Sequence, residues 1–239
     1  RIAVIICENI LSCRVKTVDE ISNALQVSRN TCLNDIRSVK KKLRSYGITL
    51  KTNASKYSFS GNGIRMRSVL MYNISYLYPL IESGKLPYLQ EKCTQENLKK
   101  LRSIESQLNI TYRTGTLNKI AVMISRCEKP LKEKVSFFEG VDLGEKILSL
   151  VDRYFNQYSE NDRRYITVQL MGSRIRSGEV NETTGRGFEY YRTCAEHLVE
   201  YFEQLVGAKI ENSELLIYNL AKHLNRSVYR YRYGLVDTC

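Results

Sequence analysis

Apolar residues near the start of the chain come in two short series at helical spacing. Val18, Ile21 and Leu25 form the first, Val27 and Ser28 interrupt it, and Leu33, Ile36, Val39 and Leu43 form the second. Thr17, with Glu20 three residues on, carries the capping-box signature of a helix start, and Ser28 is placed to cap the second helix. Gln26, Val27 and Ser28 form a tight turn between the two, and Ser22 supplies a small side chain where the helices cross. This is the layout of a helix-turn-helix. After Gly47 the period changes. In ITLKTNASKYSFSG the residues Ile48, Leu50, Tyr57 and Phe59 alternate on either side of a polar turn, Thr52 to Ser55, which predicts a β-hairpin wing.

Beyond the hairpin the pattern is helical throughout. Val69, Leu70, Ile74 and Leu77 recur at helical spacing within residues 64–81, and further amphipathic stretches cover about 96–108, 117–127, 143–155, 163–175, 188–205 and 215–233. Short links between helices of ordinary length imply helical bundles. The segment SGEVNETTGRG, 177–187, is polar and glycine-bearing and reads as an interdomain linker. The expected fold is mainly α: a winged helix-turn-helix over 1–62, a first helical bundle over 63–176, and the start of a second over 188–239.

Charge sharpens this division. Residues 1–68 hold 13 Lys and Arg against 4 Asp and Glu, whereas the remainder holds 24 against 21, so most of the formal +12 belongs to the first segment. A basic unit joined to a nearly neutral body suggests a polyanion-binding module with a control or assembly region. On the second helix of the pair, Arg29, Asn30, Thr31, Asn34 and Arg37 fall on the face that Leu33, Ile36 and Leu43 leave exposed. With Ser28 at the start of that helix, they include the side-chain types that bond base edges or phosphates. Lys40, Lys41, Lys42 and Arg44 continue toward a nucleic-acid backbone, and Lys51 and Lys56 of the wing are placed to touch phosphates. The alternative is a structural helical hairpin whose lysine run is a solvated face.

Other chemistry is sparse. Seven cysteines contain no Cys-x-x-Cys pair, which argues against a zinc site or a disulfide framework. No glycine-rich phosphate loop and no credible Cys-His or Ser-His-Asp pairing occurs, so neither an enzyme nor a bound cofactor or metal is expected. No apolar run approaches a membrane span, and RIAVIICENIL lacks the basic leader of a signal peptide, so a reducing, cytoplasmic setting without membrane contact is expected.

Against known families, DEISNALQVSRNTCLNDIRSVKKKL followed by YSFSGNGIRMRSVL resembles the DNA-binding segment of bacterial transcription regulators that carry PRDs, the regulation domains of the sugar phosphotransferase system. The likeness rests on the Ser28-Arg29-x-Thr31 start, on Asp35 four residues after Thr31, and on the aromatic, small residue, Gly and Arg that precede the next helix. It points to the mannitol- and lichenan-activator type, with Mga-like virulence regulators as relatives. NDRRYITVQLMGSRI resembles the end of a first PRD, and LLIYNLAKHLNRSVYRYRYGL the early histidine helix of a second, which the resemblance implies is incomplete at Cys239. In this family PRD histidines accept phosphate from phosphocarrier proteins. Gln169 stands where a histidine is usual, and the earlier site offers only Lys119 or Met123, so the first PRD departs from the pattern.

His223 matches the family motif of His-Leu with an Arg seven residues on, here Arg230. The resemblance makes it the phosphoacceptor. Arg226 and Arg230, on the same side of the helix, would disfavour the imidazolium beforehand and pair with the added phosphate afterwards. The plainer reading is a hydrogen-bonded, partly buried histidine with no chemistry, and His197 is expected to be packing or surface. The leading function that the resemblance implies is a sequence-specific transcription regulator, an activator of carbohydrate-utilisation genes or alternatively a Mga-like regulator of virulence genes, whose partners are double-stranded DNA, phosphotransferase-system phosphocarriers and a second copy in a homodimer. An RNA-binding antiterminator and a helical interaction protein that binds no DNA stand as alternatives.

Overall fold

The computed structural model describes residues 1–9, 16–53, 56–127, 129–135, 142–177, 186–233 and 235. It is mainly helical. Helix α1 (Ile2–Asn9) is followed by β1 (Lys16–Thr17), α2 (Val18–Leu25), α3 (Arg29–Arg44) and the strands β2 (Thr49–Asn53) and β3 (Lys56–Ser60). Then come α4 (Gly63–Glu82), a 3-10 turn at Pro87–Leu89, α5 (Lys92–Gln107), β4 (Thr111–Tyr112), α6 (Thr116–Arg126), α7 (Asp142–Tyr154), α8 (Glu160–Gly172), β5 (Ile175–Ser177), α9 (Arg186–Val206) and α10 (Ser213–Tyr233).

The caps on α2 and α3 form as their sequences predict. Thr17 Oγ1 accepts from the Glu20 amide at 3.2 Å, and Glu20 Oε2 accepts from the Thr17 amide at 2.6 Å. Ser28 Oγ accepts from the Thr31 amide at 3.1 Å. Between the helices Gln26 takes the left-handed conformation, φ 51°, which lets the chain reverse within a three-residue turn. β2 and β3 pair antiparallel with Leu50 opposite Phe59 and Thr52 opposite Tyr57, and β1 adds to β3 as a third strand. Thr52 and Asn53 belong to the strand, while residues 54 and 55 of the expected turn lie outside the described residues.

The buried apolar side chains of α1 to α8 form one continuous core. α1, from which the sequence pattern predicted no element, is central to it: Ile5, Ile6 and Cys7 are buried where the helix packs on both α3 and α4. Across the core, Arg67 of α4 makes an ion pair with Asp162 of α8, their side chains 4 % and 9 % exposed. Arg67 also donates to the Lys129 carbonyl at 3.1 Å, and Asp162 accepts from the Leu131 amide at 3.2 Å and the Ser159 hydroxyl at 2.5 Å. A buried pair satisfied in this way fixes one arrangement of α4 against α8.

α8 ends earlier than its periodicity suggests. The expected helix over 163–175 stops at Gly172, and Ile175–Ser177 pair antiparallel with β4. Ser173 turns extended, ψ 148°, and the strand gains a partner 63 or more residues away that local pattern cannot reveal. α9 and α10 pack on each other with Phe188, Ala195 and Ala221 buried between them, and α10 reaches α8 at its far end. Of the expected linker, residues 178–185 lie outside the described residues, Ser177 closes β5, and Arg186 and Gly187 open α9.

Candidate nucleic-acid interface

α3 divides cleanly. Cys32, Ile36, Val39 and Leu43 are buried and Leu33 is half-buried, so the helix is held by one stripe. Arg29, Asn30, Asn34, Arg37, Lys40 and Lys41 are all exposed on the other side. Ser28 is exposed but engaged as the cap, and half-buried Thr31 shares a 2.9 Å hydrogen bond with it through their hydroxyls. Two of the exposed cations have polar neighbours. Arg29 Nε donates to Asp19 Oδ1 at 2.9 Å, and Arg37 Nη1 donates to Asn34 Oδ1 at 2.9 Å. Both Arg29 and Asp19 are more than half exposed, so this ion pair holds loosely and can be exchanged for a stronger partner.

The hairpin stands beside α3, with Ile48 and Leu50 buried and Tyr57 and Phe59 packed on the core. Strand alternation puts Lys51 on the solvent side, where it is exposed. The side chain of Lys56 lies outside the described residues; its backbone pairs with Asn53 and Thr17. Lys42 does not continue the row of Lys40 and Lys41. It is half-buried with Nζ 5.1 Å from the ring centroid of Tyr72 on α4, because one residue of helix rotates it toward the body. Asp35, part of the family likeness, accepts from Arg1 Nε at 2.7 Å. The face is thus cationic and amide-bearing, able to meet an anionic backbone and to donate to or accept from planar groups.

No protein-family model matches the chain, and no curated protein matches it.

The second set of candidate residues is less gathered. His223 is exposed on α10, and Arg226, one turn on, is half-buried. Arg230 is 8 % exposed and turned into the contact with α8: Nη1 donates to the Gly172 carbonyl at 3.2 Å and Nη2 to Ser227 Oγ at 3.0 Å. The structure therefore does not bring Arg230 to His223. Gln169 is buried and donates to the Tyr165 hydroxyl at 2.9 Å, Met123 is buried beside Cys127, and Lys119 is buried with Nζ 4.9 Å from the Tyr78 ring centroid. These three positions are structural. His197 is exposed on α9. Among the described residues no group of His, Cys, Asp and Glu could hold a metal, and no helix is long and apolar enough to cross a membrane.

Proposed function

We propose that the chain is a sequence-specific regulator that binds double-stranded DNA through a winged helix-turn-helix built from α2, α3 and the β2–β3 hairpin. One observation carries this reading: every strongly apolar position of α3 faces the core or its edge, while Arg29, Asn30, Asn34, Arg37, Lys40 and Lys41 share the open side next to Lys51. A solvated structural face would serve with any charged residues. This one has the amides and guanidiniums that read base edges at its start and lysines toward its end, the order in which a groove-entering helix meets bases and then phosphates.

The helical body is read as PRD-type, with phosphocarrier proteins as partners and His223 as phosphoacceptor. The exposure of His223 supports access by such a donor. Homodimerisation follows from half-site geometry, and Leu198, Tyr201, Phe202 and Leu205, an exposed apolar series at helical spacing on α9, offer a surface for it.

The test selects a preferred duplex from a random pool, then compares its affinity with that of an RNA hairpin at one salt concentration. The duplex is expected to bind more tightly. An Arg29→Ala, Arg37→Ala variant is expected to lose about 1–3 kcal/mol of discrimination for each base contact removed. Preference for the hairpin, or full duplex affinity in a folded double variant, would overturn the reading.

A further inference from the structure

A cleft of about 320 Å³ opens where α1 and α2 meet the helical body. Its apolar walls come from Val4, Ile21 and Leu25 on one side and from Leu86 and Pro87 on the other. Val4, Leu25 and Leu86 are only half-buried, so the protein leaves apolar surface facing this space. The volume falls within the range of small-ligand sites, roughly 300–1,000 Å³.

The polar groups of the cleft are incompletely satisfied by the chain itself. Tyr88 is 4 % exposed, and its hydroxyl lies near the Glu8 carboxylate without making a hydrogen bond of good geometry. The Arg126 guanidinium lies over the Tyr88 ring, 4.1 Å from its centroid, with Nη1 3.8 Å from Glu8 and Nη2 2.5 Å from Glu91. Arg126 Nε is buried with no partner. A buried donor and a buried hydroxyl left unpaired cost stability unless something else completes them.

The charges decide what that is. Glu8 and Glu91 together outweigh Arg126, so an anion entering the cleft meets a net negative wall. Arg126 Nε can only donate, and the Tyr88 hydroxyl can donate or accept. We propose that this cleft binds an uncharged small molecule with an apolar body and one carbonyl or hydroxyl oxygen, which accepts from Arg126 Nε and pairs with the Tyr88 hydroxyl. Because α2 leads directly into α3, and α1 packs on both α3 and α4, a ligand wedged between α2 and Tyr88 adjusts how α3 is presented. That regulatory consequence rests on the DNA-binding reading; the binding itself does not.

The probe is 2-naphthol, neutral at pH 7, titrated into the full chain by calorimetry beside its anionic analogue 2-naphthoate. Naphthol is expected to bind with Kd on the order of 0.1 mM, and naphthoate about 10-fold more weakly or less. Ala24→Phe, at an exposed position lining the cleft, is expected to fill it and weaken naphthol about 10-fold or more with an unchanged melting temperature. Tyr88→Phe, which keeps the wall and removes the hydroxyl, is expected to weaken it about 3- to 10-fold. No binding up to about 1 mM, meaning that water alone occupies the cleft, would overturn the site. Equal binding to a folded Ala24→Phe variant would do the same, and naphthoate binding as tightly as naphthol would overturn the assigned chemistry. Saturating naphthol is further expected to change duplex affinity at least about 3-fold in the wild type and not in Ala24→Phe. Binding without that change removes the regulatory role, whereas absence of any duplex affinity sinks the DNA reading and leaves the cleft standing.

Discussion

The salt dependence of duplex binding tests the assignment of the α3 face, because the structure supplies the number of charges. Arg29, Arg37, Lys40, Lys41 and Lys51 are five exposed cations on the open side of α3 and the neighbouring strand; Arg44, also exposed, is the last residue of the helix and is left out of the count. If one copy on a half-site duplex neutralises five phosphates with them, log K falls against log salt with a slope of about −4.5, since each contact contributes about −0.9. Raising salt from about 50 to 200 mM then weakens binding about 500-fold. Lys41→Gln removes one contact and is expected to flatten the slope to about −3.6, weakening all sequences alike. Lys99→Gln, at an exposed position on α5, serves as the control and is expected to leave the slope unchanged. Fluorescence anisotropy of a labelled duplex over a salt series reads all three proteins. A wild-type slope flatter than about −2, or a Lys99→Gln effect as large as that of Lys41→Gln, would refute the assignment of this face.

Two further outcomes concern the body. Asp162→Ala leaves the buried Arg67 guanidinium without its counter-charge and the Leu131 amide without its acceptor, and is expected to cost about 3–5 kcal/mol in urea unfolding. An Arg67→Met, Asp162→Leu pair is expected to recover most of that loss, and a pair no better than the single variant would show that the cost lies elsewhere. Burial pushes the Cys7 thiol up to about 12 from 9.0 and the Tyr165 phenol up to about 12 from 10.0. The native state therefore holds protons that the unfolded chain releases from pH 9 upward, so stability is retained below about pH 9 and falls as pH rises toward 12. A urea midpoint that stays level or rises between about pH 9 and 11 would contradict this.

The helix pair was legible because three independent signals coincide within 27 residues: the apolar period, the Thr17–Glu20 box and the Ser28 cap. The hairpin was legible because its period differs from that of its neighbours. What the sequence concealed depends on distant partners. α1 looks like a stray apolar run until α3 and α4 close over it, and β5 looks like the end of a helix until β4 lies alongside. The lysine run of 40–42 reads as uniform, yet its last member turns onto Tyr72. Arg230 shares a helix face with His223 by spacing, but the packing of α10 on α8 claims it first. The cleft groups Glu8, Tyr88 with Glu91, and Arg126 come from three separate parts of the chain, and no local motif joins them.

The position of Arg230 sets the direction in which a phosphoryl group on His223 would act. Arg226 is about 4.5 Å along the helix axis from His223, and Arg230 about 10 Å. Of these two arginines, Arg226 is therefore the nearer to an added dianion. Drawing in Arg230 as well requires it to give up the Gly172 carbonyl, which is buried against the end of α8. The α9–α10 pair has a small core of its own, Phe188, Ala195 and Ala221, and its contacts with α8 include Tyr229, whose hydroxyl donates to Met171 Sδ at 3.2 Å, and Leu235. A dianion that paired only with Arg226 would leave the Arg230 bond to the Gly172 carbonyl intact, and with it the seat of α10 on α8. One that also captured Arg230 would loosen α10 from α8, and with it the placement of the apolar series Leu198, Tyr201, Phe202 and Leu205 would change. If His223 is phosphorylated, the outcome would turn on whether the charge-assisted bond gained by Arg230 outweighs the carbonyl bond and packing it leaves behind.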